Sequence, residues 1–398
     1  MKKIASLAAA AALLAGTALA QPNAPVKIGV LTDLTSVFAA FDGPGSVEAG
    51  RLAVEDVGNV LGRPVELIAA DHQNKPDVAL TLARKWFDSD GVDAIFDVAN
   101  SSIALAVNTL AGEKKKIVIF TAPTNDGMTE QACNGYGFAW VYDAYSLFRP
   151  SILYQAKNGG DTWFTLVPDY ASGVIMENVV SEVLPAVGGK IVGSVRAPLG
   201  GADFSSYILQ AQASKAKVIF VGQNGPDLIN LLKQMREFGV AEKGQRIVLN
   251  GIHDTDIRAI GQDVLQDISV ATPWYWDMDD QTRAFAKRFM PRVNTSPGWI
   301  HAGTYSAVLN YLKAVNAAGS KDSDKVREAL FKLKIDDMFA RNATLRPNGR
   351  LIHDFYQIRV KKPSESKYPW DYQQVVATIA ANDAFRPLSD TKCPLVKK

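Results

Sequence analysis

Cysteine and histidine are scarce in this chain: its 398 residues include two cysteines and four histidines. His72, His253, His301 and His353 show no metal-ligand spacing, so neither a metal nor another cofactor is implied. Charge of one sign is missing too. Lys and Arg number 43 against 41 Asp and Glu, a net +2 that argues against a nucleic-acid partner. The phosphate-loop pattern and the G-x-S-x-G elbow are absent, and Gly43 and Gly45 do not extend to a dinucleotide fingerprint. Asp33, Asp71, Asp97 and Asp169 fall near strand ends but carry no pairing signal. A chain without a catalytic constellation reads as something other than an enzyme.

What is present begins at the N-terminus. Lys2 and Lys3 precede an apolar run from Ile4 to Leu19, and Ala18-Leu19-Ala20 supplies a small-residue end. This is the pattern of a secretory signal peptide cleaved after Ala20, and no later stretch reaches the roughly 18 to 20 apolar residues of a membrane span. A periplasmic location is expected. Both cysteines, Cys133 and Cys393, lie beyond that leader, where an oxidising compartment favours their pairing over two free thiols.

Beyond Pro25, short β-branched runs alternate with amphipathic stretches, which predicts an α/β fold with parallel sheets. Strands are expected at 26–31, 65–70, 94–99 and 117–121, with helices at 47–60, 78–89 and 103–112. A second similar unit has strands at 162–167, 190–195, 218–222 and 246–250, with helices near 173–184, 207–214 and 227–238. Past 268 the chain is expected to be mostly helical, through 280–290, 302–318 and 323–331, with a closing strand pair at 351–360 and 372–379. No Gly- or Pro-rich linker separates the units, so two lobes around a cleft are the economical arrangement.

Ligands of open α/β sheets sit beyond the carboxyl ends of the strands, so those loops carry the candidate residues. The third strand leads into Asn100-Ser101-Ser102, where hydroxyls meet free backbone N–H groups and the positive end of a helix dipole. That suits a carboxylate, and it equally suits an ordinary helix cap. The next strand ends in Thr121-Ala122-Pro123-Thr124-Asn125, and the first in a loop holding Ser36, Phe38 and Phe41, whose rings could also be core. The second unit offers Asp169 and Tyr170, then Gln223-Asn224-Gly225, then Gly251-Ile252-His253. His253 is either a reader of the ligand or a satisfied loop histidine. Trp276, within Trp274-Tyr275-Trp276, belongs to a cluster of a kind more often structural than ligand-facing.

Taken together, several segments resemble the type I periplasmic solute-binding proteins of ABC importers, in their branched-chain amino-acid-binding group. They are Val26-Lys27-Ile28-Gly29-Val30-Leu31 with its hydroxyl-rich loop, the helix at 50–57, Asp71, Ser101-Ser102, the Thr121 loop, Asp169-Tyr170, Asn224-Gly225 and Tyr305. The resemblance implies two Rossmann-like lobes joined by three crossings and closing by hinge bending. It implies a first lobe at 25–143 plus 273–345, a second at 144–272 plus 346–362, and a C-terminal extension at 363–398. It also implies that Ser101, Ala122, Thr124 and Asn125 hold a ligand carboxylate, although Pro123 removes one N–H from that loop. Amino-acid binders of the family hold the ammonium with an acid where this chain has Gly251-Ile252-His253. Burying an unpaired ammonium is expensive, which lowers the claim of an α-amino acid. The segments at 129–133 and 136–142, Tyr275-Trp276-Asp277, and Phe385-Arg386-Pro387-Leu388 through Cys393 resemble a subgroup that takes up aromatic acids. The implied ligand is a small benzoate- or cinnamate-type carboxylate, stacked by Phe41, Tyr170 or Trp276, with Asn224 or His253 reading a ring hydroxyl. The implied partner is an inner-membrane ABC permease, served by a monomer. Binding of aliphatic amino acids or short amides, a ligand-sensing module, and an enzyme on the same fold using Asp169 or His253 are the alternatives.

Overall fold

The computed structural model describes residues 24–397, except 37, 170 and 267, so the expected signal peptide lies outside the described residues. Near-continuous β-branched runs give strands that can be buried on both faces, as a parallel sheet between helical layers requires. Five of them, β1 (Val26–Thr32), β2 (Val65–Asp71), β3 (Ala94–Asp97), β4 (Ile117–Phe120) and β5 (Gly137–Ala139), make a parallel sheet in the order β2-β1-β3-β4-β5. The helices α1 (Gly43–Val57), α2 (Pro76–Asp88) and α3 (Ser101–Lys114) link the first four. Gly29 leaves room for the Trp86 indole of α2 on β1; a Cβ there would come within 2.4 Å of the ring.

From β5 the chain runs through α4 (Ala144–Lys157) into the second sheet. There β6 (Thr162–Pro168), α5 (Ala171–Ala186), β7 (Lys190–Ala197), α6 (Ser205–Ala213), β8 (Val218–Val221), α7 (Gly225–Glu237) and β9 (Arg246–Leu249) build a parallel sheet in the order β7-β6-β8-β9. In both sheets the strand order reverses beside the first strand. The crevices of the two lobes therefore open between β1 and β3 and between β6 and β8.

After α8 (Asp254–Ile260), the short α9 (Gln262–Leu265) and β10 (Ser269–Thr272), three helices return to the first sheet. These are α10 (Asp280–Val293), α11 (Trp299–Ala318) and α12 (Ser323–Lys332); α11 packs on α1 and β3, and α12 on α11. The ribbon of β11 (Thr344–Leu345) and β12 (Leu351–Ile352) follows, and Arg350 bridges in parallel to Ala139 of β5. Thus the stretch around 350 borders the first sheet. Finally β13 (Phe355–Val360) joins β10 and β14 (Gln373–Ile379) in an antiparallel sheet. Cys133 and Cys393 form a disulfide that fastens the C-terminal strap to the first lobe. Among the described residues no helix is long and apolar enough to cross a membrane.

Several expected boundaries shift for local reasons. Helix α1 starts at Gly43 rather than 47 because Pro44 occupies its first turn, where a missing N–H costs nothing. Strand β3 stops at Asp97 rather than 99, since Asp97, Val98 and Asn100 take φ of 79°, 62° and 74°. No strand continues through left-handed backbone, and three such non-glycine residues in four positions hold strain at a crevice. The expected strand at 351–360 is broken at His353, whose buried ring nitrogens lie 2.9 Å from Asp354 O and 2.8 Å from Val141 O. Neither β5 nor α4 was anticipated. Pro150 inside α4 disguises its helical period.

Candidate functional site

The first lobe settles the ambiguity at the start of α3. Asn100, not a serine, caps the helix: its Oδ1 accepts from Ser102 N at 2.8 Å and Ile103 N at 3.3 Å. Its Nδ2 also donates to Asn74 Oδ1 at 2.7 Å, fixing the loop after β2. With the cap supplied, Ser101 Oγ is free to meet the neighbouring loop. It lies 3.4 Å from Thr124 Oγ1 and accepts from Asn125 N at 3.3 Å. Ser101, Thr124 and Asn125 thus converge as expected, while Ser102 is exposed beside them.

Thr121 turns the other way. Its buried hydroxyl donates to Asp97 Oδ1 at 2.8 Å and lies 2.9 Å from Thr304 Oγ1, so it braces the strained end of β3. The carbonyl of Ala122 accepts from the Tyr142 hydroxyl. Ser36 is exposed and closes its own loop, donating from both N and Oγ to the Asp33 carboxyl. Burial alone would raise the Asp33 pKa, but the Ser36 hydroxyl and the amides of Phe38, Ser36 and Thr35 outweigh it and hold the carboxyl below its usual range. Asp42, 1% exposed, is pushed the opposite way, well up, by burial and by the charges of Asp97 and Asp33.

Three rings meet across the cleft. His253, from the second lobe, stacks on Phe41 of the first at 5.1 Å and 7°, and on Trp299 of α11 at 3.9 Å and 28°. Phe38 adds an edge contact to Phe41 at 5.8 Å. Burial between the rings pushes the His253 pKa down to about 3, so the imidazole is neutral at physiological pH. It is an aromatic wall rather than a charge.

Elsewhere in the second lobe, Asp169 is exposed and its N–H bonds to Ala197 O at 2.8 Å. Tyr170 lies outside the described residues. Asn224 is exposed and accepts from Asn250 Nδ2 at 3.0 Å. Trp276 is buried, and its ring contacts are Tyr275 and Tyr368, not the Phe41–His253–Trp299 stack. Trp299, Tyr142 and Asn250 were missed, and Gln223, although part of the expected polar loop Gln223-Asn224-Gly225, was not among the expected ligand residues. Trp299 opens a helix whose expected start was 302, and the turn residues Pro297-Gly298 before it were the available signal.

Asp254 gives the site region a pH signature. Burial pushes its pKa from 3.8 up to about 7, although Gln373 Nε2 donates to Oδ1. Between about pH 4 and 7 the folded chain therefore keeps a proton that the unfolded chain loses, and this group makes stability fall as pH rises. Asp254→Asn is neutral throughout. Its stability relative to wild type should rise by roughly 1.4 kcal/mol per pH unit across that window, read by urea denaturation. A pH-independent difference would mean that the carboxyl is ionised in the fold.

A sequence model of the periplasmic binding protein family matches residues 25–367. The chain is 50% identical to a branched chain amino acid ABC transporter periplasmic ligand-binding protein from Burkholderia xenovorans, covering 93% of this chain and 99% of that one, with a TM-score of 0.90. It is 42% identical to a periplasmic binding protein from Burkholderia mallei, covering 94% and 99%, with a TM-score of 0.87. A solute binding protein of an ABC transporter from Rhodopseudomonas palustris, solved in complex with 3,4-dihydroxy benzoic acid, is 21% identical over 93% and 99%, with a TM-score of 0.79. At that identity the likeness is one of fold. The chain belongs to the periplasmic binding protein family, the solute-binding components of ABC transporters, which bind their ligands without chemistry.

Proposed function

We propose that this protein captures a small aromatic carboxylate in the periplasm, after cleavage behind Ala20, and delivers it to an ABC permease by closing its lobes. The observation that carries this reading is the Phe41–His253–Trp299 stack, in which both lobes contribute rings and the imidazole is neutral. A planar ligand is matched by ring faces, while the Ser101 and Thr124 hydroxyls suit its carboxylate, with the Asn125 N–H holding Ser101 Oγ in place. Ala122 and Ser102 flank that anchor, and Asp169 and Asn224 face it from the second lobe in this reading, while Tyr170 is assigned to the ligand on the sequence alone. The lobe division at 143/144 and 272/273 belongs to the same proposal, with the third crossing, expected at 345/346, drawn after the β11–β12 ribbon because Gly349 and Arg350 lie against Ala139 of the first sheet. No carboxylate stands at 251–253 to receive an ammonium, so a zwitterion would be poorly paired. The aromatic ligand of the Rhodopseudomonas palustris protein is in keeping with this, as a property of that protein.

The description of the Burkholderia xenovorans relative favours a second reading, a branched-chain amino acid as ligand. Thermal shift separates the two, because a ligand that binds only the folded state raises Tm by mass action. Benzoate, hydroxybenzoates and cinnamates should stabilise the protein, and leucine, isoleucine, valine and short amides should not. Stabilisation by leucine alone would sink the aromatic reading. Ser101→Ala should weaken benzoate about tenfold, the effect of one hydrogen bond to a charged group, with Tm of the free protein nearly unchanged. An unaltered affinity would remove Ser101 from the anchor.

A further inference from the structure

The crevice of the second lobe opens between β6 and β8, and the residues that leave β8 into it are Gly222 and Gln223. Gln223 is 2% exposed, yet neither Oε1 nor Nε2 of its amide has a hydrogen-bond partner. Buried amides in folded proteins are almost always paired, so one that is wholly unpaired at a cleft calls for a ligand group. Beside it, at the end of β9, Asn250 is 7% exposed. Its Nδ2 is used, donating to Gly222 O at 3.4 Å and Asn224 Oδ1 at 3.0 Å, but its Oδ1 is unpartnered. The crevice therefore presents two carbonyl acceptors and one NH2 donor.

We infer that Gln223, with Asn250 beside it, reads a hydroxyl at the end of the ligand remote from its carboxylate. This rests on the aromatic-carboxylate reading and narrows it to hydroxylated rings. The chemistry follows from the unpaired atoms. A phenolic O–H donates to an amide oxygen while its oxygen accepts from the Gln223 NH2, so one group serves both halves of the amide. An aliphatic or unsubstituted end offers nothing to either half and leaves them buried and unpaired. The carboxylate anchor stands on the first lobe and Gln223 on the second, so the hydroxyl lies across the ring, at the para position. Asn224, exposed and already bonded to Asn250, yields this part to its buried neighbour.

Calorimetric titration of the mature protein tests the inference with three ligands of one shape: benzoate, 4-methylbenzoate and 4-hydroxybenzoate. The methyl and hydroxyl groups are nearly equal in size, so only polarity separates them. Wild type should bind the hydroxy acid about tenfold or more tightly than the methyl acid, as expected for a site built to pair a hydroxyl. Gln223→Met keeps the length of the side chain and should shrink that ratio to about threefold or less, mainly by weakening the hydroxy acid. Benzoate binding by the variant reports that its cleft is intact, and wild-type discrimination stands independently of how the variant folds. Equal affinities of wild type for the methyl and hydroxy acids would overturn the inference and leave the aromatic reading standing. So would an undiminished preference in Gln223→Met. Binding of leucine with none of the three aromatic acids would instead fell the reading beneath it.

Discussion

Replacing Arg350 by leucine is expected to lower the unfolding free energy by about 3–5 kcal/mol, the cost of breaking a buried ion pair from one side. Arg350 is 3% exposed. Its Nη1 donates to Tyr142 O at 2.8 Å, and its Nη2 stands 3.2 Å from Asp143 Oδ2. Asp143 is itself buried and caps α4, accepting from Ser146 N at 2.7 Å. The guanidinium thus holds together the end of β5, the start of α4 and the 346–352 stretch, at the point where the chain leaves the first sheet for the second. Leucine fills the volume but strands the Asp143 carboxylate and the Tyr142 carbonyl. Arg350→Leu combined with Asp143→Asn should therefore recover part of the loss, which a double-mutant cycle in urea would measure. Lys217, paired on the surface with Asp161, each side chain more than half exposed, is the contrasting case: Lys217→Met should leave stability almost unchanged. A loss below about 1 kcal/mol for Arg350→Leu would mean that water reaches Asp143 in place of the guanidinium.

How much of this was legible beforehand depends on how local each cause is. The alternation of β1 to β4 and β6 to β9 with helices is a periodic signal, and the two parallel sheets follow it closely. The convergence of Ser101, Thr124 and Asn125 was also readable, because parallel neighbours β3 and β4 end at one edge. What stayed hidden was set by distant partners. Trp299 reaches the cleft because α11 is seated on α1, with His301 Nε2 3.1 Å from Asp42 O across 259 residues. Nothing in the local pattern around 299 encodes that. Thr121 and Ser36 look like ligand hydroxyls in sequence, but Asp97 and Asp33 engage them, one for strand-end strain and one for loop closure. Asn100 was passed over because a cap with φ of 74° belongs to no simple helix-start pattern. The sequence puts Gln223 in the polar loop that leaves β8 towards the cleft but does not single it out from Asn224. Only burial without a partner marks it.

Removing the disulfide should lower stability by about 2–5 kcal/mol while leaving ligand affinity in place, because the bond acts mainly on the unfolded chain. Cys133 and Cys393 are 260 residues apart, so the cross-link closes about two thirds of the chain into one loop. In the folded state the strap is held by other contacts. Lys392 N and Thr391 Oγ1 donate to the Glu130 carboxylate, Phe385 packs edge-on against Phe355 at 5.5 Å, and Arg386 pairs with Glu182. Cys133→Ser/Cys393→Ser should consequently keep the strap seated, and trypsin should cut behind Lys392 no faster than in wild type. Freed of the cross-link, the unfolded ensemble expands and exposes more surface, so the urea m value should rise as the midpoint falls. Reduction of the native protein should reproduce both changes. A fall in the midpoint at constant m, accompanied by rapid tryptic loss of the strap, would instead place the effect in the folded state, with the disulfide acting as the strap's anchor rather than as a restraint on the unfolded chain.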